Sequence, residues 1–458
     1  MINNIVSSIN DILWGVPMII FLVGAHLYLT YKTKFVQRKI FTGIKLSLKK
    51  QNDGSGDVSV FGALTTALAS TVGTGNIIGV ATAITLGGPG AVLWTWIGGI
   101  FGIATKYAET FIAVKHRQKK EDGSYVGGAM TALDFLKKPF LSKFFCFATI
   151  LGAFGIGCLT QSNAISSLAR DNFNIPPYIT GIVIAIITFI IVFGGIKSIS
   201  NVCTKLVPIM SIVYVIGCLY ILVVNASYLP QTISLIISSA FTPKAMAGGF
   251  VGSTLIIAMR YGVARGLFSN EAGMGSAPIA SAAGQAKNAV KPAIVGATGV
   301  FWDTVVICLM TGLVLCTCVI ANPDIDAVLI NDGSRLCTIA FNTIPYIGAP
   351  LLIFGVLTFA YSTILGWCYY ATSCAEYLFS KKATKIYMFI WIIVIFLGSI
   401  GKIQLVWDVA DILNALMVIP NIIAVFLLRK EIAKDTDYYL YQNRLEEKDE
   451  SMQWVTTF

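Results

Sequence analysis

The chain reads as an all-α polytopic membrane protein of about eleven transmembrane helices, one leading helix followed by two halves of five. Three observations predict this. Only 12% of the 458 residues are charged and 56% are hydrophobic, whereas soluble globular proteins carry about 25% charged residues. About eleven apolar segments reach the roughly twenty residues that a bilayer demands of a helix. Two of them are interrupted by polar, glycine-rich stretches, Ser70-Thr71-Val72-Gly73-Thr74-Gly75-Asn76 and Phe268-Ser269-Asn270-Glu271-Ala272-Gly273-Met274-Gly275.

The spans fall at 12–31, 61–86, 91–114, 144–168, 178–196, 206–224, 247–268, 293–320, 349–379, 386–400 and 406–428. One membrane domain, 1–430, holds them all. Within it lie a leading helix at 11–31, a basic amphipathic segment at 32–57, a first repeat at 58–226 and a second at 247–430. A charged tail, 431–458, is read as partly disordered because it has too little apolar surface to bury. The leading segment has no basic flank before it and is followed by Lys32 and Lys34. A cleaved signal peptide shows the reverse order, so the segment reads as a retained span.

With the N-terminus outside, about 26 of the 33 Lys and Arg residues fall on the cytoplasmic side, as the positive-inside rule requires. Arg170, Lys244, Arg335 and Lys402 are the ones left outside. The C-terminus is then cytoplasmic, and the net charge of +10 needs no nucleic-acid partner. With no organellar targeting segment evident, the expected location is the plasma membrane of a prokaryote. The cysteines are scattered through apolar spans, and Cys316 and Cys318 have neither metal-site spacing nor a histidine partner. They read as small buried apolar residues. With His26 and His116 as the only histidines and no H-E-x-x-H cluster or paired carboxylates, nothing points to an enzyme or a cofactor.

Setting the leading helix aside, the two breaks fall on the first and sixth of the remaining ten spans. In lipid every freed backbone N–H or C=O needs a partner, so a break is tolerated where it lines a cavity. A pair of breaks in corresponding positions of two halves marks the solute site of a secondary transporter. A channel would instead display a selectivity filter or a ring of like charges. The break at Gly73–Gly75 turns the N-terminal end of a half-helix toward the cavity, which suits a carboxylate. The second break leaves the carbonyls of Leu267, Phe268 and Ser269 for an ammonium. Helix packing through small residues is the competing explanation, but Ser70, Thr71 and Asn76 are more polar than packing requires.

These segments resemble the alanine or glycine:cation symporter family, also called sodium:alanine symporters. The likeness is carried by Gly73-Thr74-Gly75-Asn76-Ile77-Ile78-Gly79-Val80-Ala81, Gly87-Gly88-Pro89-Gly90-Ala91, Trp94, Lys106-Tyr107-Ala108-Glu109 and Tyr125-Val126-Gly127-Gly128. In the second half it continues through Gly266 to Pro278 and Thr363-Ile364-Leu365-Gly366-Trp367. The resemblance implies the leucine-transporter fold, two five-helix halves of inverted topology that each open with a broken helix, and the coupling of small neutral amino acids to Na⁺. It places Asn76, Gln161, Phe268, Asn270 and Trp367 at the substrate, and Thr74, Gly75 and Ser269 adjoin them in the two breaks. It nominates the carbonyls of Ala69 and Val72 as Na⁺ ligands, with hydroxyls from Ser362 and Thr363. Those hydroxyls have an alternative, bonding back to their own helix, and Gln161 has one too, as polar glue between helices. Trp367 lies mid-span, where a wall limiting substrate size suits it better than an interfacial anchor.

Among intramembrane charges, Lys106 and Glu109 are spaced to pair on one helix face. Arg265 and Glu271 flank the second break and are candidates for a gating or static ion pair, whereas Asp411 opens the last span, where solvation is expected. Asp303 is the best candidate for a proton or second-cation site. The expected function is Na⁺-coupled import of alanine, glycine or another small neutral amino acid by alternating access. Its alternatives are a proton-coupled amino acid symporter, with Asp303 or Glu271 titrating, and a channel.

Overall fold

A computed structural model describes residues 6, 9–10, 12–49, 54–241, 254–322, 325, 332–401 and 404–452, with the side chains of 404–408 left aside. Residues 247–253, at the start of the second repeat, and Lys244 and Lys402 lie outside the described residues. Eighteen α-helices carry the described chain. They are α1 (Val16–Lys32), α2 (Ile40–Leu48), α3 (Val60–Thr71), α4 (Ile78–Gly87), α5 (Gly90–Lys115), α6 (Ala129–Phe135), α7 (Pro139–Phe173), α8 (Pro177–Val192) and α9 (Gly195–Val224). There follow α10 (Leu229–Phe241), α11 (Leu255–Asn270), α12 (Ala277–Ala282), α13 (Val290–Ala321), α14 (Gly333–Asn342), α15 (Gly348–Leu378), α16 (Lys381–Ile400), α17 (Gln404–Leu427) and α18 (Arg429–Asp435).

Seven of these are individually long and apolar enough to cross a bilayer, namely α5, α7, α9, α13, α15, α16 and, over Val409–Leu427, α17. The pair Val16–Lys32 and Val36–Leu48, bent by 64°, passes the same test together. Lys34 and Phe35 make that bend with positive φ. Beyond it α2 buries Ile40, Gly43, Leu46 and Ser47 on one face, the three-to-four-residue spacing of an amphipathic helix. The helices on either side of the first break, α3 and α4, are each too short to cross alone, because glycine and a cluster of hydroxyls end the first after three turns.

Packing sorts the helices into groups. Helix α11 lies against α5 and α4, α13 against α5, and α12 against α3 and α5. Separately, α8 packs on α16, and α15 packs on α7 and α16. Helix α15 also meets α3 and α9, which brings Ser362, Thr363 and Trp367 toward the first break. The outer face of α8 exposes Ile182, Ile186 and Ile190, as a lipid-facing helix should. Two stretches of π-helix interrupt long spans, Phe154–Leu159 in α7 and Phe301–Cys308 in α13. Such stretches often accompany functional sites because they rotate side chains out of the regular register.

The tail expected to be partly disordered is folded through Met452. After α18 a π-helical turn, Thr436–Tyr441, leads into a segment held by the ends of other helices. Lys115 pairs with Asp435 at 2.8 Å and with Asp449, and Asn288 Nδ2 donates to the carbonyls of Leu445 and Glu447, both at 2.9 Å. Two of the tail's carboxylates, Asp435 and Asp449, are therefore matched by a buried ammonium, while Glu446, Glu447, Lys448 and Glu450 stay exposed.

Candidate functional site

The two breaks cross each other. At Gly75 an added Cβ would lie 3.0 Å from the Phe268 ring and 3.4 Å from Ser269 Cα. Glycine is what allows the unwound strand of α3–α4 to touch the end of α11. The first break is held by Asn76, whose Oδ1 accepts the amide of Gly73 at 2.8 Å. Its Nδ2 donates to Asp303 Oδ1 at 2.7 Å and to the Asp303 carbonyl at 3.2 Å. Thr74 and Gly75 are buried beside it, and the Thr74 hydroxyl has no hydrogen-bond partner.

The second break is held from α5 and α17. Glu271 takes a left-handed conformation with φ of 55°, and Gly273 and Gly275 have φ of 106° and 75°, backbone that glycine adopts at little cost. The freed amides of Gly273 and Gly275 donate to Glu109 Oε2 at 3.1 and 3.2 Å. Asn421 Nδ2 donates to the same oxygen and to the Gly273 carbonyl, both at 2.8 Å. Lys106 pairs with Glu109 at 3.1 Å, as their spacing predicts, and its ammonium also donates to the Glu271 carbonyl at 3.0 Å. Of the carbonyls expected to be free, that of Leu267 is already used, accepting the Glu271 amide at 2.8 Å.

Asp303 sits in the π-helical stretch of α13 and is fully buried. Ser269 Oγ donates to its carboxylate at 2.9 and 3.2 Å, and Thr304 Oγ1 donates at 2.6 Å. Asn270 Nδ2 in turn donates to Thr304 Oγ1 at 2.9 Å, while its Oδ1 accepts the Ala272 amide at 2.8 Å. Asn76, Ser269 and Asn270 are thus tied to one carboxylate from both breaks. The sequence singled Asp303 out as a charge without tying these residues to it.

Across from the first break, Ser362 Oγ donates to the Val72 carbonyl at 3.3 Å and to the Phe359 carbonyl at 2.9 Å. Thr363 Oγ1 donates to Phe359 at 3.0 Å and stands 2.4 Å from where a Cβ on Gly73 would be. The back-bonding alternative therefore holds for both hydroxyls, yet both also face the unwound chain. Ala69 lies one turn before Val72, fully buried on the same helix. Gly366 lets α15 approach Ser70, and the Ser70 hydroxyl contacts Tyr370.

Gln161 follows the π-helical stretch of α7. Its Nε2 donates to the Ile156 carbonyl at 2.9 Å and its Oε1 is buried without a partner. Trp367 is fully buried, its base fits over Gly157, and its Nε1 also lacks a partner. Among the described residues, Thr74 in the first break, Gln161 on α7 and Trp367 on α15 are three of the side chains that bury a polar atom without a partner.

Arg265 does not pair with Glu271. It meets Asp411 at 3.2 Å, its guanidinium lies 5.7 Å from the Phe268 ring centre, and Trp14 Nε1 donates to the Asp411 carbonyl at 3.0 Å. Asp411 is 8% exposed, so it is an ion-paired group and not a solvated one. Glu271 instead accepts from Ser276 Oγ at 2.5 Å.

Comparison with known proteins bears on this geometry. The sodium:alanine symporter family profile matches residues 1–453. The chain belongs to the sodium:alanine symporter family. An uncharacterized transporter of Haemophilus influenzae is 42% identical over 453 residues, 98% of each chain. The sodium/alanine symporter AgcS of Methanococcus maripaludis is 40% identical over 445 residues, 94% of this chain and 96% of its own. Among solved structures, MhsT in complex with L-phenylalanine superposes with a TM-score of 0.59 at 14% identity, covering 86% of this chain and 96% of that one. The fold is that of the leucine-transporter class. As a family member the chain is a multi-pass, cation-coupled amino-acid symporter.

Proposed function

We propose that this symporter couples Na⁺ to the import of alanine, glycine or a similarly small neutral amino acid, across the plasma membrane of a prokaryote with its N-terminus outside. The observation that carries the reading is the meeting of Ser362 and Thr363 with the unwound chain at Val72 and Gly73. Carbonyls of Ala69 and Val72 with two hydroxyls form a neutral set of oxygens suited to a hard monovalent cation. The adjoining substrate site draws on Thr74, Gly75, Asn76, Gln161, Phe268, Ser269, Asn270 and Trp367. Partnerless polar atoms on Thr74, Gln161 and Trp367 are the groups a small zwitterion would satisfy. With Phe268 and Trp367, both buried, as walls of the site, a short side chain would be favoured. The relative from Methanococcus, named for sodium and alanine, supports the same choice.

In this mechanism Na⁺ binding draws α15 onto the first break and fixes the unwound backbone in the form that receives substrate. Substrate then bridges the two breaks, and the groups packed around α5 and α15 exchange access from one side to the other. The test is uptake of labelled alanine into proteoliposomes. Accumulation with an inward Na⁺ gradient, absent when choline replaces Na⁺, is the expected result; accumulation that follows only a proton gradient rejects it.

A further inference from the structure

We propose that helix α2 and the bend before it form a binding surface for anionic phospholipid headgroups, and that lipid held there steadies α13. The surface faces the inner leaflet in the orientation proposed above, and to that extent rests on it. Past the 64° bend, α2 turns Ile40, Gly43, Leu46 and Ser47 onto the protein. Phe41 and Leu48, seven residues apart and so on one side of the helix, are 65% and 74% exposed. Lys45 and Lys49, four residues apart, form an exposed strip beside them, and Arg38 is exposed in the turn just before α2. Large apolar side chains next to a basic strip, on a helix bent away from a span, belong in the layer where headgroups meet acyl chains.

Charge names the occupant. Residues 32–49 hold six basic side chains and no acidic one. The folded tail uses two of them, since Lys34 pairs with Asp437 and both Lys34 and Lys39 lie over the Tyr441 ring. Among the described residues no ion pair reaches Arg38, Lys45 or Lys49. Basic clusters of this size beside a span, or on an amphipathic helix, attract anionic lipid. A soluble anion would satisfy the cations but leave Phe41 and Leu48 in water. A bilayer phospholipid answers both strips, with its phosphate for the basic one and its acyl chains for the apolar one.

Packing carries the effect of the lipid inward. Gly43 seats α2 directly on α13, where an added Cβ would lie 2.5 Å from the Ile294 carbonyl oxygen and 2.8 Å from the Thr298 methyl group. The Phe41 ring stands edge-on to Phe301 with centroids 6.1 Å apart, and Phe301 opens the π-helical stretch of α13. Whatever holds α2 in the headgroup layer therefore also braces α13 along two turns.

The test compares lipids on the purified full chain. Phosphatidylglycerol titrated into the detergent-solubilised parent should raise its Tm, whereas phosphatidylcholine, or glycerol phosphate free in solution, should not. The triple variant Arg38→Gln, Lys45→Gln, Lys49→Gln should need about a hundredfold more phosphatidylglycerol for the same rise, at about 1 kcal/mol for each basic side chain. Should it not fold, Lys45→Gln and Lys49→Gln taken singly should each need about fivefold more. The variant Lys382→Gln, Lys385→Gln, Lys430→Gln removes as much charge from other exposed positions and should respond as the parent does. In proteoliposomes, adding phosphatidylglycerol to phosphatidylcholine should speed alanine uptake by the parent and not by the triple variant. A parent that melts alike in both lipids, a triple variant that responds as the parent does, or an equal loss in the control variant overturns the proposal. So does a rise in Tm with glycerol phosphate, and uptake by the parent that is equally fast in both lipids overturns the link to α13. The melting comparison needs no transport, so it decides this proposal whichever ion drives uptake, while the Na⁺ gradient experiment decides the symport reading.

Discussion

Asn76 and Asp303, 227 residues apart, are joined by a 2.7 Å hydrogen bond from the carboxamide Nδ2 to Oδ1. This bond ties the unwound part of the first broken helix to the π-helical stretch of α13. The same carboxamide caps the Gly73 amide, so Asn76 both shapes the break and orients the carboxylate beside it.

Replacing Asn76 with alanine strands a buried amide and removes one donor from a buried carboxylate. Leaving such groups unsatisfied costs about 1–3 kcal/mol each, enough to lower the population of the competent site tenfold or more. Alanine uptake by Asn76→Ala should fall at least tenfold while membrane insertion is retained. Initial rates in proteoliposomes, normalised to folded protein, check this, and near-parental kinetics would remove Asn76 from the site.

Ser362 and Thr363 both spend a hydrogen bond on Phe359, so their loss should leave α15 intact. The double change to alanine should weaken apparent Na⁺ affinity by more than it weakens alanine affinity at saturating Na⁺. Uptake measured across a Na⁺ series distinguishes the two. An unchanged Na⁺ dependence would show that the hydroxyls only brace their own helix.

The second break rests on Glu109, which accepts three hydrogen bonds while pairing with Lys106. Glu109→Gln keeps an acceptor oxygen but leaves Lys106 buried without its counter-charge, a change that costs about 3–5 kcal/mol in a buried pair. Adding Lys106→Met removes the orphaned charge. The double variant should therefore melt at a higher temperature than Glu109→Gln alone in detergent. Equal or lower melting of the double variant would show that the charge pair is not what secures the break.

Much of this arrangement was legible in the sequence because it depends on local chemistry. Glycines and small polar residues inside apolar runs announced both breaks, and Lys106 and Glu109 are neighbours on one turn. What was not legible depends on long-range register. Glu109 reaches Gly273 across 164 residues and Arg265 reaches Asp411 across 146, and no periodicity encodes such meetings. The π-helical stretches at Phe154–Leu159 and Phe301–Cys308 are equally silent, since nothing in Phe301-Trp302-Asp303-Thr304 distinguishes them from regular helix. They are nonetheless what carries Asp303 and the approach to Gln161. Reading Arg265 with Glu271 failed for the same reason, as nearness in sequence does not place two side chains on one side of a break.

Trp367 supplies the last prediction, on which side chains the site admits. Its ring is fully buried, set edge-on to Tyr370 with centroids 5.6 Å apart, and its base presses on Gly157, where a Cβ would lie 2.2 Å away. So tight a fit leaves the indole little room to move aside for a larger ligand. Trp367→Ala removes the ring and should open space for side chains such as leucine or methionine. Truncating a buried aromatic costs about 3–5 kcal/mol, so yield should fall and transport must be normalised to folded protein. In competition assays leucine and methionine should then displace labelled alanine far better than they do from the parent. If inhibition stays confined to small amino acids, the limit on size lies with Phe268 or Gln161, and Trp367 is packing alone.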